Sequence, residues 1–329
     1  MKSATLVLFS LLFVNGLRAA PRQAIVPHVI NGRALVVQHA AAVFAVVSEN
    51  GDGFFGGGSI VSDRHIITGA NLVLGATSVR VGYGSTSLTS LTAITTTSFV
   101  AHAAFNRTTM ENDIAIVFLP FANRIEFSDA VRAIALPTAA PGIDLAGSLG
   151  GFGFTESNGV DWSDTLLVAS LITVDNAICT ERWPSLTMEN QFCANGAPSP
   201  VIPSLITNIC AGDYGAGFYT GDGFITTTTT TTTTTEDPGE EEIIEVEPAP
   251  EEDVETEDGE NQSGEVQPFD PTKLRSASVS EGEEQVEPVL VGIASVVGDW
   301  WECNPEDPRT YTIVFNYVSW IQDLTGIEV

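Results

Sequence analysis

Phe55-Gly56-Gly57-Gly58-Ser59-Ile60-Val61, followed at once by Ser62-Asp63-Arg64-His65-Ile66-Ile67-Thr68-Gly69-Ala70-Asn71, is the stretch whose reading decides the fold. From Ser59 to Thr68 it is rich in β-branched and apolar residues, with glycines on either side, the composition of extended chain bounded by turns. The same texture recurs outward at Val43–Val47, Ser78–Val81, Ile114–Leu119 and Leu166–Val174, broken each time by Gly, Asn, Asp or Pro. Short runs at this spacing predict an antiparallel sandwich or barrel rather than βαβ units. Apolar residues fall at helical spacing in one place, Val314–Leu324, which is read as a C-terminal helix.

The rest of the 329-residue chain sets its surroundings. Its 43% hydrophobic content is ordinary for a folded protein, but 42 Asp+Glu against 13 Lys+Arg give a formal net charge of −29. Such a surface repels phosphate backbones, so no nucleic-acid partner is expected. Met1-Lys2-Ser3, an apolar run from Ala4 to Val14, and small residues at Gly16, Ala19 and Ala20 have the layout of a secretory signal peptide over 1–19, cut after Gly16 or Ala19. The apolar core falls short of the ~20 residues a bilayer needs, and no later stretch reaches that length, so a secreted, extracellular protein without a membrane span is expected. Cys179, Cys193, Cys210 and Cys303 are an even number for an oxidising compartment and predict two disulfides, with three pairings open. No CxxC pair or Cys/His cluster suggests zinc, and His28, His39, His65 and His102 are scattered; neither a metal nor a cofactor is expected.

Composition changes abruptly after Tyr219. Residues 226–235 are ten threonines, and residues 236–288 hold 20 of the acidic side chains against two basic ones. A segment of this kind cannot bury enough apolar surface to offset its ordering entropy, and disorder is predicted for it. β-like text resumes at Val289-Leu290-Val291-Gly292-Ile293-Ala294-Ser295, so 222–288 reads as an insertion within one domain. The threonines offer hydroxyls for O-glycosylation, or are a neutral expansion. The acidic stretch lacks the spacing of a calcium loop and reads as a solvated loop that a cationic ligand would suit. Asn106-Arg107-Thr108 and Asn261-Gln262-Ser263 are N-glycosylation sequons.

The motifs, in their order along the chain, resemble the chymotrypsin-like (trypsin-fold) serine proteases. Val29-Ile30-Asn31-Gly32 is similar to that family's mature N-terminus, and the opening stretch to its strands leading into the catalytic histidine. Asn112-Asp113-Ile114-Ala115 is similar to its catalytic-aspartate motif, Gly151-Phe152-Gly153 to a turn of its second barrel, and Cys210-Ala211-Gly212-Asp213-Tyr214-Gly215-Ala216-Gly217 to its nucleophile loop. Val291–Ser295 and Tyr311–Ile321 resemble its closing strands and final helix, and insect chymotrypsins and brachyurins are the members it most resembles. The resemblance implies an all-β fold of two packed antiparallel Greek-key barrels, at about 29–130 and 131–329, after a propeptide-like 20–28. It also implies the disulfides Cys179–Cys193 and Cys210–Cys303.

That family's chemistry needs a serine hydroxyl, an imidazole to take its proton, and a buried carboxylate to orient the imidazole. Position by position, the resemblance places Asn71 where the histidine belongs, Asp113 at the aspartate, and Tyr214 at the serine. An amide is no base near neutral pH, and a phenol with pKa about 10 on a bulky ring stands where a scissile carbonyl must approach. Loss of the serine or histidine from a related triad lowers turnover on the order of a million-fold. The oxyanion donors would be the N–H groups of Gly212 and Tyr214. The cysteines flanking the catalytic histidine are replaced by Gly56 and Leu72. The specificity pocket is matched by Asn208 at its base, by Ser295 and Val297 along a wall, and by Arg309 in place of a lining glycine, where a guanidinium would fill the slot. His28, not a basic cleavage residue, precedes Val29, so the amino group that would pair with Asp213 is not freed in the family's usual way. The expectation is a secreted, non-catalytic homolog that binds or regulates an extracellular protein. A weak secreted serine-type endopeptidase and a mucin-like matrix component are the alternatives.

Overall fold

The computed structural model describes residues 32–34, 37–47, 52–155, 162–200, 202–221, 287–296 and 303–329. The expected signal peptide and the 20–28 segment, the threonine run, the acidic segment up to 286, Val297 and Asn261 lie outside these residues. The chain divides into two units, 1–224 with 286–329 and 225–285, and every described residue belongs to the first.

In chain order the elements are β1 (Arg33–Ala34), β2 (Ala40–Val46), β3 (Gly53–Ile60), β4 (His65–Thr68), α1 (Ala70–Val73), β5 (Ser78–Tyr83), β6 (Thr92–Thr96), β7 (Phe99–Ala101) and β8 (Ala115–Phe118). They continue with β9 (Ala146–Gly151), β10 (Leu167–Val174), α2 (Asn176–Arg182), β11 (Gln191–Gly196), β12 (Gly217–Thr220), β13 (Val289–Val296), β14 (Arg309–Ile313) and α3 (Val318–Thr325). The result is the expected all-β, trypsin-like architecture of two barrel-like antiparallel sheets. One runs β6-β5-β2-β3-β4-β8-β7; the other runs β1-β10-β11-β14-β13-β12-β9 and closes through β9 and β10. β13 pairs with β12 and β14 in the second sheet, so the text after the acidic segment returns to the sheet it left.

The run Ser59–Thr68, predicted as one strand, is two. Ser62 Oγ accepts the N–H groups of Arg64 and His65 at 3.1 Å each, and the N–H of Val61 donates to His65 O at 3.0 Å. A serine bonding its own backbone two and three residues on makes a turn, so the chain reverses into an antiparallel β3–β4 pair. Two short helices also escaped the sequence pattern. α2 is held by Asp175, whose Oδ1 accepts the Ala177 N–H at 2.8 Å. The predicted C-terminal helix begins as a 3-10 turn over Val314–Tyr317, becomes α3, and stops at Gly326 with φ +71°.

Each sheet wraps an apolar core. Val43, Ile60, Ile66, Val79, Val81 and Val117 fill the first and Leu149, Leu167, Phe192, Phe218 and Tyr311 the second, all buried. A third cluster, including Ile67, Ile116, Phe152, Leu290, Val314 and Ile321, draws on both sheets and seats the C-terminal helix between them. Loops on both sides of this contact are joined by Glu111, which accepts from the Thr187 hydroxyl, from the Glu189 N–H at 2.9 Å and from Asn190 Nδ2 at 3.2 Å. The disulfides are Cys179–Cys193 and Cys210–Cys303, with Cα separations of 5.8 and 5.3 Å.

Candidate active site

Three loops meet where the two sheets face each other. α1 follows β4 immediately and presents Asn71; Asp113 lies two residues before β8; Tyr214 lies three before β12. Hydrogen bonds draw them together. The backbone N–H of Asn71 donates to Asp113 Oδ1 at 2.7 Å, and Ser295 Oγ donates to Asp113 Oδ2 at 2.7 Å. The Thr312 hydroxyl donates to the Asp113 carbonyl at 2.9 Å. On the Tyr214 side, Gly57 N–H donates to the Tyr214 carbonyl at 2.7 Å and Gly215 N–H to the Ala294 carbonyl at 2.9 Å. Gly215 has φ +77°, and a Cβ there would lie 2.3 Å from Thr68 Oγ1, so this turn admits only glycine.

Asp113 is fully buried. Desolvation raises its pKa to about 6, against the opposing effect of the Asn71, Ser295 and Ala70 hydrogen bonds and the more distant Arg107. No imidazole contacts it among the described residues. His65 Nδ1 pairs with Ser62 Oγ at 2.7 Å and packs edge-on to Phe118. His102 packs edge-on to Tyr317 and Trp320, and His39 is buried edge-on to Tyr219. Asp213 is also fully buried, accepting Gly153 N–H at Oδ1 and Cys210 N–H at Oδ2, both at 2.9 Å. Desolvation pushes it to about 7, and no described cationic side chain forms an ion pair with it.

Gly212, with φ +93°, lies under an indole: a Cβ there would stand 2.6 Å from Trp162 Cζ3. Nothing in the sequence singled out Trp162. Gly56 and Leu72 are packed together, since a Cβ on Gly56 would lie 2.8 Å from Leu72 Cδ2 and 2.4 Å from the Tyr214 carbonyl oxygen.

Asn208 and Arg309 are both wholly buried. Asn208 Nδ2 donates to the carbonyls of Pro305 and Asp307 at 2.9 Å each, and its Oδ1 accepts the Ile209 N–H at 2.8 Å. Arg309 Nη2 donates to the Asn304 carbonyl at 3.1 Å and Nη1 to the Pro308 carbonyl at 3.4 Å; Asp307 Oδ2 lies 3.9 Å from Nη1. Its Nε has no hydrogen-bond partner among the described residues. Burial lowers the Arg309 pKa, while Asp307 and the phenols of Tyr311 and Tyr214 act in the opposite direction. The carbonyl cradle at 304–308 carries no sequence signature and was not foreseen. Asn106 is exposed, its Oδ1 accepting the Thr108 N–H at 2.9 Å.

Two curved antiparallel sheets with a loop-built site where they face each other define a chymotrypsin-like architecture. The family model described as Trypsin matches residues 30–244, and the chain belongs to that family. It is 26% identical to a trypsin of Xenopus laevis over 150 residues, 45% of this chain and 61% of that protein. It is 28% identical to brachyurin of Leptuca pugilator over 156 residues, 46% of this chain and 66% of that protein. The chain thus spans about three-fifths of the length of the trypsins it matches. The solved structure of HL collagenase superposes with a TM-score of 0.60 at 19% identity, covering 92% of this chain and all of that one, a likeness of fold.

Proposed function

We propose that this trypsin-family chain is a secreted serine protease homolog that does not hydrolyse peptide bonds and acts by binding an extracellular protein. In this reading Asn71, Asp113 and Tyr214 stand at the triad positions, Gly212 and Tyr214 at the oxyanion donors, and Asn208, Ser295, Val297 and Arg309 at the specificity pocket. The observation that carries it is the residue held against Asp113. Position 71 is tied to that carboxylate by its backbone N–H, and its side chain is an amide that cannot accept the nucleophile's proton. Arg309, buried and bonded to loop carbonyls, supports the same reading, since a guanidinium in place of a pocket-lining glycine would fill the slot. The two disulfides suit an oxidising compartment, and no described helix is long and apolar enough to cross a membrane. The acidic segment is proposed to take a cationic ligand, and Asn106 and Asn261 to carry N-linked glycans.

The test is incubation of the refolded protein with a fluorophosphonate probe and a panel of fluorogenic peptides. Neither labelling nor turnover is expected. Labelling or turnover that disappears in Tyr214→Phe overturns the reading.

A further inference from the structure

The outer face of the first sheet holds a pocket that the triad positions do not use. Its volume is about 490 Å³, within the ~300–1,000 Å³ of small-molecule sites. The strand register explains why the sheet is concave here. Ala42, Gly82 and Ala93 are paired across β2, β5 and β6, a row of small residues forming a floor. The neighbouring row is large: Phe44 pairs with Phe55 on β3 and with Arg80 on β5. Leu91 lies over Gly82, where a Cβ would come within 2.8 Å of its Cδ1, and Trp162 forms the opposite wall, its ring 4.8 Å from that of Phe55.

Arg80 is the charged side chain lining this apolar hollow. It is exposed, and no described carboxylate forms an ion pair with it, although the chain carries 42 acidic residues. A guanidinium presents a planar fork of donors that matches a carboxylate's two oxygens. One fork above an aromatic and aliphatic wall calls for one anionic head on an apolar body. We propose that this pocket binds a free apolar monocarboxylate of the medium-chain fatty acid class, head on Arg80 and tail along Phe44, Phe55, Leu91 and Trp162. The site is independent of whether the triad positions are active.

Titration calorimetry with decanoate, and with 1-decanol as its uncharged counterpart, tests the proposal on the full chain. Decanoate is expected to bind at least about tenfold more tightly than decanol. Arg80→Gln should erase that difference while leaving decanol binding unchanged, and Arg80→Lys should keep part of it. Ala93→Trp, which fills the hollow from the surface, should abolish both. Melting curves matching wild type establish that each variant is folded. Equal affinity for the two ligands, decanoate binding that survives Arg80→Gln, or no decanoate binding at about 1 mM overturns the proposal.

Discussion

The backbone N–H of Asn71 donates to Asp113 Oδ1 at 2.7 Å while Ser295 Oγ donates to Oδ2 at the same distance. The carboxylate is held from both sides as an orienting group would be, and the side chain available to be oriented is an amide. On the proposed reading, the scaffold of a catalytic centre persists around side chains that do not run its chemistry.

Replacing Asn71 by His and Tyr214 by Ser together is expected to leave fluorogenic peptides uncut. Adding Arg309→Gly to that pair is expected to give the first measurable turnover. Cleavage by the double variant alone would place the whole defect in the triad positions and refute a blocked pocket.

Arg309 is buried with Nε unpartnered and Asp307 at 3.9 Å, too far for a strong paired fork. Removing an imperfectly compensated buried charge in favour of an apolar side chain of similar reach is often neutral or stabilising. Arg309→Met is therefore expected to melt at or above the wild-type temperature. Arg309→Ala, which leaves a cavity, should lose about 2–4 kcal/mol by denaturant titration. Arg309→Met melting below wild type would show that the guanidinium's hydrogen bonds to the 304 and 308 carbonyls dominate.

Stability should depend on pH through three buried groups. Asp113 is raised to about 6 and Asp213 to about 7 by desolvation, so the folded chain retains protons that unfolded carboxyls, near 3.9, release. Their contribution is complete below about 4 and fades as pH climbs through 6 and 7. His39, lowered by burial to about 3, works oppositely, and its contribution is lost as pH falls below about 6.5. Between about 6.5 and 8 the falling slope then belongs mainly to Asp213. Thermal melts should decline over that window in wild type and flatten in Asp213→Asn; an unchanged slope in the variant would assign it elsewhere.

The strands around Asp113 and Tyr214 were legible because apolar runs and glycine turns are local properties. The nucleophile-like loop and Asn112-Asp113-Ile114-Ala115 each fit within a few residues. The reversal at Ser62 was hidden because Ser59–Thr68 is uniformly β-prone and the turn depends on one hydroxyl bonding its own backbone. The cage around Arg309 was invisible for another reason: its acceptors are main-chain carbonyls, which every residue carries. Trp162 meets Gly212 only in three dimensions, 50 positions apart in the chain.

The two disulfides should differ in weight. Cys179–Cys193 closes 14 residues and Cys210–Cys303 closes 93, worth about 3 and about 4.7 kcal/mol on a chain-entropy account. Paired Cys→Ser variants compared by urea denaturation should show the larger loss for the second. Equal losses would mean that residual structure in the unfolded chain cancels the difference.

The packing of Leu72 over Gly56 also limits what position 56 can hold. A side chain on Gly56 would meet the Tyr214 carbonyl at 2.4 Å as well as Leu72. Introducing cysteines at 56 and 72 therefore asks the loop carrying Tyr214 to retreat before any bridge can close. A smaller residue at 72 relieves only half of the crowding, so any side chain at 56 still displaces the backbone that carries Tyr214.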